Sequence, residues 1–114
     1  MQATGLEEQR VRAARNQSFF REVNERIDEL RPSSSFVEFV CECTLQACTE
    51  RISLTLEEYE DVRVDSNRFV VIPGHELAEV ETVVAEHDRY LVVAKLGAGA
   101  EVAEQLDPRR AASS

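Results

Sequence analysis

From Glu7 to Arg31 the chain contains no Gly or Pro, and Phe20, Val23, Ile27 and Leu30 recur at i, i+3, i+7 and i+10. That spacing is one helical stripe, so the pattern predicts a single long helix. Its first half, up to Gln17, is mostly polar, with Val11, Ala13 and Ala14 as its apolar support. Residues 1–18 are therefore expected as a polar helical extension with little to pack against. Arg31-Pro32-Ser33-Ser34-Ser35 ends the helix, because proline restricts the residue before it and serines favour loop.

Beyond that break the period changes. Phe36 to Cys41 is a β-branched and aromatic run, and Arg51 to Leu54 is a second short strand. Thr55-Leu56-Glu57-Glu58 has the spacing of a capping box and opens a helix whose Leu56, Tyr59 and Val62 share a core-facing side. Arg68 to Ile72 is a third strand, reversed by Pro73-Gly74 in the order a type II turn requires. Val80–Glu86 and Tyr90–Lys95, joined by His87-Asp88-Arg89, read as a hairpin, and residues 100–106 as a short helix. The fold class expected is α+β: a long N-terminal helix and a small, mainly antiparallel sheet with one short capped helix. Residues 19–106 form the single domain and residues 107–114 a disordered tail.

Composition narrows the function classes. The net charge is −9, and residues 1–31 balance six Arg against six acidic groups, so the whole excess lies in residues 32–114. Nucleic acid is an unsuitable partner for such a surface, since phosphate binding needs a basic footprint. No apolar run approaches the roughly 18 residues of a membrane span, and the first residues lack the apolar centre of a signal peptide. A cytoplasmic setting is expected, in which thiols stay reduced and clustered cysteines bind metal more often than they pair.

The cysteines carry the chemistry. All three fall in Cys41-Glu42-Cys43-Thr44-Leu45-Gln46-Ala47-Cys48, and His75 leaves the Pro73-Gly74 turn. Structural zinc takes four ligands in a tetrahedron, mainly thiolates and imidazoles, and these four residues make the set. On a strand, positions 41 and 43 share a face, a short loop returns Cys48, and a rigid turn delivers His75 from a neighbouring strand. The expectation is one structural Zn2+ held by Cys41, Cys43, Cys48 and His75, with His87 in the hairpin tip as an alternative fourth ligand. Glu42 and Gln46 argue against a purely apolar setting, and Glu42 with Glu50 would disfavour a free thiolate.

Three other chemistries compete. A thiol/zinc redox sensor would pair Cys48 with Cys41 or Cys43, because Cα atoms two apart on a strand lie about 6.7 Å from each other, near the limit for a disulfide. A small metal-dependent enzyme would need an exchangeable fourth ligand, and H-E-x-x-H is absent. Iron–sulfur sites of the three-Cys, one-His type place the histidine closer to the last cysteine than 48 to 75.

The strings FREVNERI (Phe20–Ile27), FVCEC with Cys48, LTLEEYEDVR (Leu54–Arg63) and FVVIPGH (Phe69–His75) resemble a family of short bacterial proteins of the actinobacterial type. The resemblance covers roughly residues 14–108 and implies a shared C-x-C-x4-C and PGH pattern. It implies no activity. The function expected is that of a zinc-binding protein-interaction or regulatory module, its partner another protein or a second copy met through the N-terminal helix.

Overall fold

In the computed structural model, residues 2–31, 33, 35–45 and 47–109 are described, with side chains from Gly5 onward. The expected Pro32, Ser34 and Gln46 features and the tail from Arg110 fall outside them. Helix α1 spans Gln2–Glu29, strands β1 and β2 span Val37–Val40 and Arg51–Leu54, and helix α2 spans Leu56–Arg63. Strands β3 (Arg68–Val71), β4 (Glu81–Glu86) and β5 (Leu91–Lys95) follow, and helix α3 (Ala98–Gln105) closes the order. The fold is α+β with antiparallel pairing throughout the described strands.

The strands divide into two sheets, a β1-β2 ribbon and a β3-β5-β4 sheet. The division falls at the cysteines. Cys41 N–H still donates to Glu50 O across the ribbon at 3.0 Å, whereas Glu42 N–H donates to Val70 O on the edge of the other sheet at 2.8 Å. One peptide therefore carries the chain from the first sheet to the second. Phe39, Tyr59, Phe69, Val70 and Val93 fill the core between the layers, Phe39 stacking on Tyr59 at 4.5 Å.

The capping box at Thr55 forms as spaced: Glu58 N–H donates to Thr55 Oγ1 at 3.0 Å, and Thr55 N–H donates to Glu58 Oε1 at 2.9 Å. At the end of α1, Arg31 takes φ +47, the left-handed stop common after a last helical turn. The β4–β5 register slips between Val83 and Ala85, a bulge with no signal in the alternation of residues.

The face that α1 buries differs from the stripe its apolar residues trace. Phe20 is buried, but Leu30 is 79% exposed, and the polar Gln17, Arg21 and Asn24 are wholly buried. Each bonds main-chain atoms of another segment. Gln17 Nε2 donates to Glu42 O at 2.9 Å, Asn24 exchanges two bonds with Val40 at 2.8 and 2.9 Å, and Arg21 reaches Ser66 O and Ala103 O at 2.6 Å. The Arg21 guanidinium also lies 4.4 Å above the Phe69 ring. Open carbonyls at a sheet edge need donors, and a polar helix face supplies them.

Residues 7–14 lie along α3. Ala13 and Ala14 are buried, Glu7 Oε2 accepts from Ala98 N–H at 3.2 Å, and Arg10 Nε donates to Glu79 O at 3.0 Å. At the other terminus Asp107 pairs with Arg63, and Arg109 binds Glu25 at 2.6 Å and Glu60 at 2.8 Å. Among the described residues no helix is long and apolar enough to cross a membrane.

Candidate metal centre

The centre is assembled at the seam between the two sheets. Cys41 ends the ribbon, Cys43 follows the crossing peptide, and Cys48 returns in a turn closed by its own N–H on Leu45 O at 3.0 Å. His75 comes from the far side of β3. The turn Ile72-Pro73-Gly74-His75 is closed by His75 N–H on Ile72 O at 2.9 Å, with Gly74 at φ +97. That angle belongs to the third position of a type II turn, where a side chain is strained, so the Pro-Gly order fixes where the imidazole emerges.

Cys41, Cys43, Cys48 and His75 form a group able to hold one metal ion, their ligand atoms all within 4.8 Å of one another. His75 Nδ1 stands 3.6 Å from Cys41 Sγ and 3.7 Å from Cys48 Sγ. A tetrahedral centre with Zn–S of about 2.3 Å and Zn–N of about 2.0–2.1 Å has S···N edges of about 3.6 Å. The donor set thus fits a zinc-sized ion. Cys41 Sγ also accepts from Ile72 N–H at 3.3 Å, so the turn that supplies the imidazole also braces the first sulfur.

Burial grades the cluster. Cys41 and Cys43 are 1% and 0% exposed, while Cys48 and His75 are half-buried and face outward. Burial pushes the Cys41 and Cys43 thiols up, and the neighbouring sulfurs push Cys41 further, against the Ile72 N–H. A cation held here would replace those protons, as at other thiolate metal sites.

Glu42 contradicts the expectation that it sits beside the thiols. The strand alternation that turns Cys41 and Cys43 to one side turns Glu42 to the other, and it is 0% exposed. Oε1 accepts from Val70 N–H at 3.0 Å, and Oε2 accepts from Asn24 Nδ2 at 2.8 Å and Tyr59 Oη at 3.3 Å. Burial raises its pKa, and Asn24, the Val70 amide, Arg21 and Arg63 oppose that rise. Three donors on two oxygens suit the carboxylate.

A second buried charge was invisible in the sequence. Lys95 ends an apolar strand and resembles a surface lysine, yet its side chain is wholly buried against Glu81 at 3.0 Å and Gln17. Glu81 Oε2 in turn accepts from Leu77 N–H at 2.9 Å, tying down the segment that leads away from His75. Asn16 Nδ2 donates to Thr44 O at 3.3 Å, so α1 touches the cysteine loop directly. His87 stands outside the group, stacked on Tyr90 at 4.4 Å in the β4–β5 turn.

The molecule is thus an α+β protein with a Cys3His group at the junction of two sheets. Compared with protein families, curated proteins and solved structures, the chain matches none of them.

Proposed function

We propose that this chain is a zinc-stapled interaction module, with one structural Zn2+ held by Cys41, Cys43, Cys48 and the Nδ1 of His75. The observation that carries the reading is the pair of S···N separations, 3.6 and 3.7 Å, between groups drawn from both sheets. With all four positions of a tetrahedron supplied by the protein, the ion serves as a clamp. Tag-free protein is expected to contain one zinc per chain, with an absorption-edge spectrum of three sulfurs and one nitrogen. Absence of metal, or full zinc content after Cys48→Ser, would sink the proposal.

In this reading the partner is another protein or a second copy, engaged on the outer face of α1, where Phe19 is 62% and Leu30 79% exposed. Sedimentation at rising concentration separates the two. A mass that climbs with concentration and reverts in Phe19→Ser indicates a second copy.

The half-buried Cys48 favours a second reading of the same site, a thiol/zinc redox sensor. Peroxide would take two electrons from Cys48 and a neighbouring thiolate, join them as a disulfide and release the ion. Zinc retained after peroxide treatment, with three free thiols, excludes it.

A further inference from the structure

The exposed side of α1 carries one stripe, Glu8, Arg12, Arg15, Phe19, Glu22 and Arg26, spaced alternately four and three residues apart. That is the spacing of a heptad seam between two helices. All six residues are exposed, Phe19 to 62%. Glu8 with Arg12, and Glu22 with Arg26, stand four apart, where pairs within one helix commonly form. Among the described residues, however, none of the five charged side chains makes an ion pair or a hydrogen bond. Their charges are open to a partner.

The order of charges along the stripe selects that partner, because it is complementary to its own reverse. When a second α1 runs antiparallel against the first, Glu8 meets Arg26, Arg12 meets Glu22 and Arg15 meets Phe19. Two-fold symmetry repeats each contact, giving four ion pairs and two guanidinium-on-ring contacts along these six positions. Other arrangements of the same seam lose this match. A parallel pair in register sets each charge against its own like, and a slip of one heptad brings Arg12 against Arg15 or Arg15 against Arg26. The net charge points the same way. Two copies at −9 repel each other over residues 32–114, whereas residues 1–31 balance six Arg against six acidic groups.

We propose that two copies of this chain associate through an antiparallel, charge-paired contact between their α1 helices, centred level with Gln17. This rests on the reading of the outer face of α1 as the interaction surface, and commits that surface to a second copy in one register. A hollow of about 360 Å³ lined by Glu7, Glu8, Val11, Arg12 and Arg15 takes Glu22 of the second copy between its two arginines. Exposed ion pairs are individually weak and screened by salt, so the dimer is weak and salt-sensitive.

The test is sedimentation equilibrium of the full chain at low salt, with its zinc content measured in parallel. The mass is expected to climb with concentration and to fall back when salt is added. Arg12→Glu and Glu22→Arg, each at an exposed position, set like charges together on both sides of the axis and are each expected to weaken the dimer about tenfold. An equimolar mixture of the two variants is expected to regain the parental affinity, because each Arg12→Glu copy meets a Glu22→Arg copy with both contacts restored. That recovery also shows that both variants are folded. A reversal that leaves the dimer as tight as before, a mixture no tighter than its components, or a parent chain monomeric at every concentration would overturn the proposal. The first two outcomes leave self-association in some other arrangement, the third leaves α1 to another protein, and none of them alters the zinc content, so the dimer and the metal reading fail separately.

Discussion

Glu42 stands between two thiols of the Cys3His group and turns the other way, so one tripeptide serves two sides of the molecule. Its carboxylate gathers Val70, Asn24 and Tyr59 donors in a space with no exposure. Replacing it by glutamine keeps the shape but exchanges one acceptor for an NH2 group facing those donors. A buried hydrogen bond to a charged group contributes about 1.5–3 kcal/mol, and a donor left unsatisfied costs a similar amount. Glu42→Gln is therefore expected to lose about 2–4 kcal/mol in urea denaturation while still holding one metal per chain. If the variant loses its metal as well, the two faces of the tripeptide are not separable. The same-side placement of Cys41 and Cys43 was legible because alternation along an extended chain is a property of the backbone. Where Glu42 points follows from the same rule, but what it meets there comes from α1 and β3, far away in sequence.

At the scale of elements, the local signals and the core-facing side of α2 held, and the face of α1 did not. Caps and turns are written in adjacent residues: the Thr55 box and the Pro73-Gly74 turn formed where their spacing placed them. The buried face of α1 instead depends on the open carbonyls of Val40, Glu42, Ser66 and Ala103, which a hydrophobic stripe cannot register. Helix α3 shows the same dependence, because its N-cap Gly97 offers no side chain and Glu7 of α1 caps the first turn in its place. Gly97 has φ +56 and ψ −137, and an added Cβ would lie 2.6 Å from Glu7 Oε1 and 2.8 Å from Arg10 Nη1. Gly97→Ala is expected to cost about 1–3 kcal/mol, read as a lower denaturation midpoint with an unchanged slope. The C-terminal end of α1 is pH-sensitive. Asp28 is raised to about 7, first by burial and then by its hydrogen bond and proximity to Glu60, while Glu60 falls to about 2 through Arg109 and Asp28. Folding holds a proton on Asp28 that the unfolded chain releases near 3.8, so its contribution is lost as pH rises from about 4 through about 7. The Glu60 contribution is already complete above about 4.5 and adds no slope there. Asp28→Asn keeps a donor toward Glu60 and is expected to flatten the decline between pH 5 and 7, leaving the variant more stable than the parent at pH 8. An unchanged slope would refute the assignment.

For the whole molecule the decisive fact is that the Cys3His group draws its ligand atoms from the ends of both sheets. The β1-β2 ribbon alone is marginal, since two strands rarely persist in water without further packing. It is joined to the second sheet by the shared apolar core around Phe39, Tyr59 and Phe69, by the Glu42–Val70 contact, by Arg89 on Ser53 O, by the α1 side chains that bond Val40 and Glu42, and, where an ion is bound, by the Cys3His group. Structural zinc contributes about 10–16 kcal/mol in finger peptides, as much as the ~5–15 kcal/mol net stability of an entire domain. An ion lost from this group would leave its thiols facing one another and free the loop that Asn16 and Gln17 grip. Loss of metal should then spread from the seam into α1, because Asn16, Gln17 and Asn24 bond the backbone at the cysteine loop. A strong chelator is accordingly expected to abolish the far-UV helical signal and the amide protection of Val40, Cys41 and Glu42 together, with both restored by added zinc. Protection that persists at Val40 and Glu42 after the metal has gone would show that α1 and the core hold the sheets without a clamp, and the structural role of the ion would fall.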